Sequence, residues 1–189
     1  MPSARGYLSC AEDSATHKIY CFGGNDGSYL DQIVEYDPST DTISTSTVVL
    51  PSARRLLSCA EDSATHKIYC FGGNDASDYL DQIVEYDPSA DTISTKTAVL
   101  PSARGYLSCA EDSATHKIYC FGGNDGSYLD QIVEYDPSID TISTSTAVLP
   151  SGRYGLSCAE DSATHKIYCF GGNALDQIVE YDPSSDTII

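Results

Sequence analysis

The residues of this chain that could do chemistry come in sets of four. Arg5, Arg54, Arg104 and Arg153 each stand just ahead of an apolar stretch. Cysteines recur as Cys10 and Cys21, Cys59 and Cys70, Cys109 and Cys120, and Cys158 and Cys169. His17, His66, His116 and His165 form a third set. A guanidinium fork suits two-point recognition of carboxylate or phosphate. A cysteine pair can bridge, bind metal or fill a core. The Asp37-Pro38-Ser39-Thr40-Asp41 segment alternates oxygen-bearing side chains but lacks the glycine and distal glutamate of a calcium loop, so it reads as a turn.

Spacing narrows these options. Cys10 and Cys21 fall on adjacent strands, nearly opposite one another if the turn centres between Ala15 and Thr16. Directly opposed residues hold their Cβ atoms about 4.5–5.5 Å apart, wider than the usual disulfide separation of about 3.8 Å. Leu8, Ile19 and Phe22 flank them. The expected state is therefore a reduced, buried cysteine acting as a small hydrophobe. With ten residues between the two cysteines and no second close pair, zinc is a poor match. The histidines, one per set and placed in turns, are not expected to meet on one ion. No metal or cofactor is expected. Catalysis needs different residues in different roles around one substrate. Here any acid, base or ligand supplied once is supplied four times, and no Ser-His-Asp set or glycine-rich phosphate loop occurs, so an enzyme is not expected.

The elements that must position these residues also repeat. Cys10, Cys59, Cys109 and Cys158 are spaced 49, 50 and 49 residues apart, giving units at 2–50, 51–100, 101–149 and 150–189. Within the first unit the pattern predicts strands over Tyr7–Glu12, Lys18–Phe22, Asp31–Tyr36 and Thr42–Thr47. Between them lie turns rich in Asp, Asn, Gly, Ser and Pro. No helical period is present, so the fold class is all-β. The second strand ends in Gly23-Gly24, a pair suited to a sharp change of direction or to close approach of another backbone. The turn after it is longer in unit two, Asp75 to Asp78, and shorter in unit four, Asn173 to Leu175. Such length changes are tolerated on surfaces.

Read together, these units resemble the kelch repeat. The resemblance rests on the Arg before the first strand, an Ile-Tyr-x-x-Gly-Gly second strand and a Tyr-Asp-Pro turn after the third. It covers nearly the whole chain in four in-phase copies. A period near 50 residues is about that of the kelch blade. The family places a Trp where this chain has Ile43, Ile93, Ile142 and Ile188. The resemblance implies a β-propeller of four-stranded antiparallel blades, four per chain, as one domain or half-propeller over 1–189. The first strand would line the axis and the fourth would lie outside. It also implies a choice of functions, because the family holds interaction modules and a few enzymes, copper oxidases and sugar epimerases among them.

In such a propeller the four arginines stand at the axial mouth, on the face that carries the glycine-pair loops. Similar adaptor domains use arginines at this position to hold acidic peptides. Either Arg5, Arg54, Arg104 and Arg153 contact an acidic peptide or anion, or each satisfies a neighbouring Asp or loop carbonyl. Asn25, Asn74, Asn124 and Asn173 lie on the same face and read mostly as turn residues. The expectation is a non-catalytic scaffold or binding module. The alternative is an enzyme of the kelch class with a symmetric axial site. Near-identity of the units fits recent amplification or deliberate construction.

Ring closure can be weighed as well. Four blades closing alone must each turn through a right angle, which demands a wedge thick at the rim. This unit is instead bulky inside and rich in Ser and Thr outside. The chain begins with a first strand and stops within a fourth, so no strand exchange latches a monomer. The expectation is a homodimer forming an eight-bladed ring, with the four-bladed monomer as the other solution. The chain carries 28 acidic against 10 basic residues, a net charge of −18. That charge, copied with the unit, predicts repulsion from nucleic acid and anionic membranes. No apolar run reaches membrane-spanning length and no secretory signal is visible, which makes a cytoplasmic location the default expectation.

Overall fold

The computed structural model describes residues 1–189 and contains sixteen strands and no helix. The first blade is β1 (Ser9–Asp13), β2 (Lys18–Phe22), β3 (Gln32–Asp37) and β4 (Thr42–Val49). The second is β5 (Ser58–Asp62), β6 (Lys67–Phe71), β7 (Gln82–Asp87) and β8 (Thr92–Val99). The third is β9 (Ser108–Asp112), β10 (Lys117–Phe121), β11 (Gln131–Asp136) and β12 (Thr141–Val148). The fourth is β13 (Ser157–Asp161), β14 (Lys166–Phe170), β15 (Ile178–Asp182) and β16 (Thr187–Ile188). Each blade is an antiparallel meander in chain order. The first strands pack on one another in series, β1 on β5, β5 on β9 and β9 on β13, and so line the axis. These are the four four-stranded β-propeller blades expected from the repeat.

The first strand starts later than its composition suggests. Tyr7, Leu56 and Tyr106 adopt left-handed backbone, with φ of 60°, 65° and 58°, and the fourth blade has Gly155 there. This conformation turns the backbone toward the neighbouring blade. The Leu56 amide donates to the Tyr7 carbonyl at 2.9 Å, Tyr106 to Leu56 at 2.9 Å, and Gly155 to Tyr106 at 2.8 Å. The chain leaves the strand ladder here to link blades around the axis.

The core lies between blades rather than within them. Tyr20, Phe22, Ile33 and Leu50 of the first blade meet Leu57, Ile68, Val84 and Tyr86 of the second. The same set recurs at the next two junctions. Tyr86 sits edge-on to Phe22 at 5.7 Å and tilted against Tyr20 at 5.4 Å, an arrangement aromatic quadrupoles favour. Ile93, at an expected tryptophan position, pairs with Tyr86 across β7 and β8 and packs against this cluster. A modest aliphatic side chain therefore does the outer-strand packing.

The glycine pair does what its composition suggests. Gly23 has φ of 62°, and a Cβ there would run into the Arg54 carbonyl oxygen. Gly24 has φ of 101° and donates its amide to that same carbonyl at 2.9 Å.

The cysteines overturn the expectation of free thiols. Cys10–Cys21, Cys59–Cys70, Cys109–Cys120 and Cys158–Cys169 are all bridged, with Cα–Cα separations of 4.0–4.1 Å, and no free cysteine remains. The partners are directly opposed in register. The Cys59 amide donates to Ser9 Oγ of the preceding blade at 2.9 Å. It is therefore not bonded to Cys70, and antiparallel pairs that exchange no backbone hydrogen bonds approach more closely.

Candidate functional site

The arginine positions resolve into structure rather than display. Arg54, Arg104 and Arg153 are 0–1% exposed, and Arg5 is partly buried. The Arg54 guanidinium donates to Ser52 Oγ at 3.0 Å, Gln82 Oε1 at 2.8 Å and the Gly72 carbonyl at 3.3 Å. Arg5, Arg104 and Arg153 repeat this with Ser3 and Gln32, Ser102 and Gln131, and Ser151 and Gln177. No carboxylate lies within ion-pair distance of any of them. Burial holds Arg54 down at about 10, against the opposing field of Asp75. Burial also lowers Arg104 and Arg153. Of the two readings, loop satisfaction describes these contacts, and the buried forks are not presented to a ligand.

The asparagines likewise bond within the protein, in turns or between blades. Asn25 Oδ1 accepts from the Gly27 amide at 3.1 Å, and Asn124 Oδ1 accepts from Gly126 at 2.9 Å. Asn74 Oδ1 accepts from the Tyr29 hydroxyl of the preceding blade at 3.0 Å. Asn173 Oδ1 accepts from the Tyr154 amide at 3.2 Å. All four remain partly exposed at the mouth.

Above the buried arginines the mouth carries a group that sequence reading did not single out. Arg55 occupies the position filled by Gly6, Gly105 and Tyr154 in the other units. Its guanidinium lies 4.9 Å from the Tyr29 ring centroid and 5.4 Å from that of Tyr7. It makes no side-chain hydrogen bond or ion pair, and its Nε is buried without a partner. On the far side, Tyr154 lies 5.3 Å from Tyr106 and 4.8 Å from Tyr128. Tyr79 covers Gly105. Tyr7 and Tyr128 are well exposed. The face is thus a band of tyrosines around one unengaged cation. The signal was available in the sequence, since Arg55 breaks the unit pattern.

The opposite face carries the histidines. His66 stands with Glu61 and with Asp13 of the preceding blade, and Asp62–Glu111–His116 and Asp112–Glu160–His165 repeat the group. The histidines stand apart from one another, one per blade. His66, His116 and His165 each join two carboxylates across a junction, whereas His17 of the first blade meets only Glu12 at 2.9 Å. Glu61 Oε1 accepts from the Ser14 amide at 2.7 Å and from its hydroxyl at 2.9 Å, while His66 Nδ1 lies 3.1 Å from Ser14 Oγ. Serine and glutamate thus address the same ring nitrogen, so the imidazole cannot relay a proton between them as a catalytic histidine does. These groups latch blade to blade. Burial raises Glu111 even against its bonds to Ser63 and His116.

Comparison with known proteins agrees with this architecture. The family model of the KLHDC2/KLHL20/DRC7 Kelch-repeats domain matches residues 1–172. No curated protein matches the chain.

Proposed function

The chain belongs to the kelch-repeat family, and from that premise we propose that it is a non-catalytic binding module whose ligand docks at the tyrosine-lined axial mouth. Such modules present a rigid surface on repeated blades, and this one is further held by four disulfides. The observation that carries the reading is Arg55, a guanidinium stacked on Tyr7 and Tyr29 with no hydrogen-bond acceptor. Tyrosine and arginine dominate the energetics of protein recognition. The ligand class is an acidic peptide segment, whose carboxylate meets Arg55 while its flanks lie on the rings.

Nothing in the geometry favours the enzyme reading, because each acid, histidine and serine recurs at three junctions in one role. The bridges point to an oxidising environment rather than the default cytoplasmic one. No helix is long and apolar enough to cross a membrane.

The test is a titration with a short glutamate-rich peptide followed by backbone amide shifts. Perturbation should centre on Tyr7, Tyr29, Arg55 and Tyr106 and vanish in Arg55→Gln. Shifts confined to the histidine face, or none at millimolar peptide, would overturn the reading.

A further inference from the structure

Each surface that joins one blade to the next is used three times in the chain and offered once more at its two ends. Phe22, Phe71 and Phe121 are 0% exposed, yet their counterpart Phe170 is 47% exposed. Ile33, Ile83 and Ile132 are 0% exposed, yet Ile178 is 63% exposed. These residues form the leading face of the fourth blade. The trailing face of the first is also uncovered, to a lesser degree: Tyr36 and Ile19 are partly exposed, where Tyr86, Tyr135, Ile68 and Ile118 are buried.

The polar links repeat the pattern. Ser9, Ser58 and Ser108 accept the amides of Cys59, Cys109 and Cys158 at 2.9 Å, while Ser157 Oγ and the Cys10 amide have no such bond. The Gly24, Gly73 and Gly123 amides reach Arg54, Arg104 and Arg153 carbonyls at 2.9 Å, but no Gly172 amide reaches Arg5. Ser14, Ser63 and Ser113 donate to Glu61, Glu111 and Glu160, while Ser162 has no Glu12. Apolar area, donors and acceptors on one end match those on the other, because the three internal junctions join these same two surfaces.

We infer that a second copy of this chain closes the ring. The fourth blade of each copy packs on the first blade of the other, giving eight blades about one axis. A ring of identical chains must hold a multiple of four blades, and propellers typically have 4–8. Here four blades leave both ends uncovered, and eight is the multiple that remains. The contact is head-to-tail and closes under two-fold symmetry. Phe170 and Tyr168 then face the partner's Tyr36, and Ser162 faces the partner's Glu12. The inference is independent of what binds at the mouth.

Light scattering of the intact, oxidised chain tests it. The expected mass is twice the 20.3 kDa chain mass, steady on dilution through the micromolar range. Phe170→Asp and Ile178→Asp, which alter side chains already exposed in the isolated arc, should each give the single-chain mass. Their circular dichroism and count of bridged cysteines should be unchanged. Ile139→Asp, an exposed apolar residue away from both faces, should stay a dimer. A single-chain mass for the unmodified protein at millimolar concentration would overturn the inference. So would a mass that grows without limit, or a dimer that survives both face variants.

Discussion

The Cys109 amide donates to Ser58 Oγ at 2.9 Å, and both residues are buried at the junction of the second and third blades. This one bond links two features of the fold. It ties β9 to β5 near the axis, and it gives an acceptor to the Cys109 amide, which points out of the hairpin ladder where Cys109 closes on Cys120. Ser58→Ala should leave a buried amide without an acceptor and lower stability by about 1–3 kcal/mol. Chemical denaturation would measure it; no change would show that water replaces the hydroxyl.

The bridges themselves are open to a direct count. The native protein should show no titratable thiol even when denatured, and eight after reduction. Intact mass should rise by the eight hydrogens of four reduced bridges. Thiols found in the denatured, unreduced chain would contradict the paired geometry.

Much of this architecture was legible, and the exceptions have separate causes. Repeat spacing, turn chemistry and the glycine pair located the blades because they are local properties of one unit. The cysteine bridges were misread from a generic cross-strand distance, since the sequence does not show that each pair falls at a non-hydrogen-bonded position, where the strands close to a Cα–Cα separation of 4.0–4.1 Å. The arginines, left open between ligand contact and internal satisfaction, are a different case. Ser52 and Gln82, which hold Arg54, lie on either side of it in sequence, the glutamine on the third strand of its own blade. The recurring Ser-x-Arg and the Gln of the third strand were the available clues. Arg55 was overlooked because it belongs to no set of four.

The buried forks should be intolerant of conservative change. Arg104 donates to Ser102 Oγ, Gln131 Oε1 and the Gly122 carbonyl at 2.9, 2.8 and 3.4 Å. A lysine supplies a compact point charge that cannot span these acceptors and remains buried. Arg104→Lys should cost about 2–4 kcal/mol in an unfolding titration while leaving peptide affinity at the mouth unchanged. A large affinity loss with unaltered stability would return these arginines to the ligand site.

Gly72 and Gly27 offer a contrast between close approach and mere conformation. Both have positive φ, 59° and 114°. A Cβ on Gly72 would collide with the Arg104 carbonyl that the Gly73 amide needs, whereas Gly27 has open space around it. Gly72→Ala should cost about 3 kcal/mol or more, and Gly27→Ala only about 1 kcal/mol of backbone strain. Equal penalties, read from denaturation midpoints, would mean that the blade junction can shift to admit the methyl group.

Acid should loosen the blades from the rim inward. The register irregularity between β3 and β4 places extra residues on β4, turning Ser46 and Thr47 toward the next blade. There Asp91 accepts from Ser46 Oγ, from the Thr47 amide at 3.0 Å and hydroxyl at 2.6 Å, and from Tyr86 at 3.0 Å. The Ser46 and Thr47 hydroxyls together hold its carboxyl down at about 2. Burial would raise Asp140, but bonds from the Thr97 hydroxyl and amide outweigh it and lower that group too. A depressed folded value means the unfolded chain takes up protons first, so stability rises with pH through this window. The contribution is complete above the ordinary aspartate value near 3.8 and is lost as pH falls through about 2. Asp91→Asn should therefore lower stability at neutral pH by about 1–2 kcal/mol, a modest figure because the site is partly solvated. The difference from the unmodified protein should shrink toward zero as pH approaches 2. Urea midpoints measured across that range would check the sign. A penalty that persists undiminished in acid would show that Asp91 acts through packing rather than through its charge.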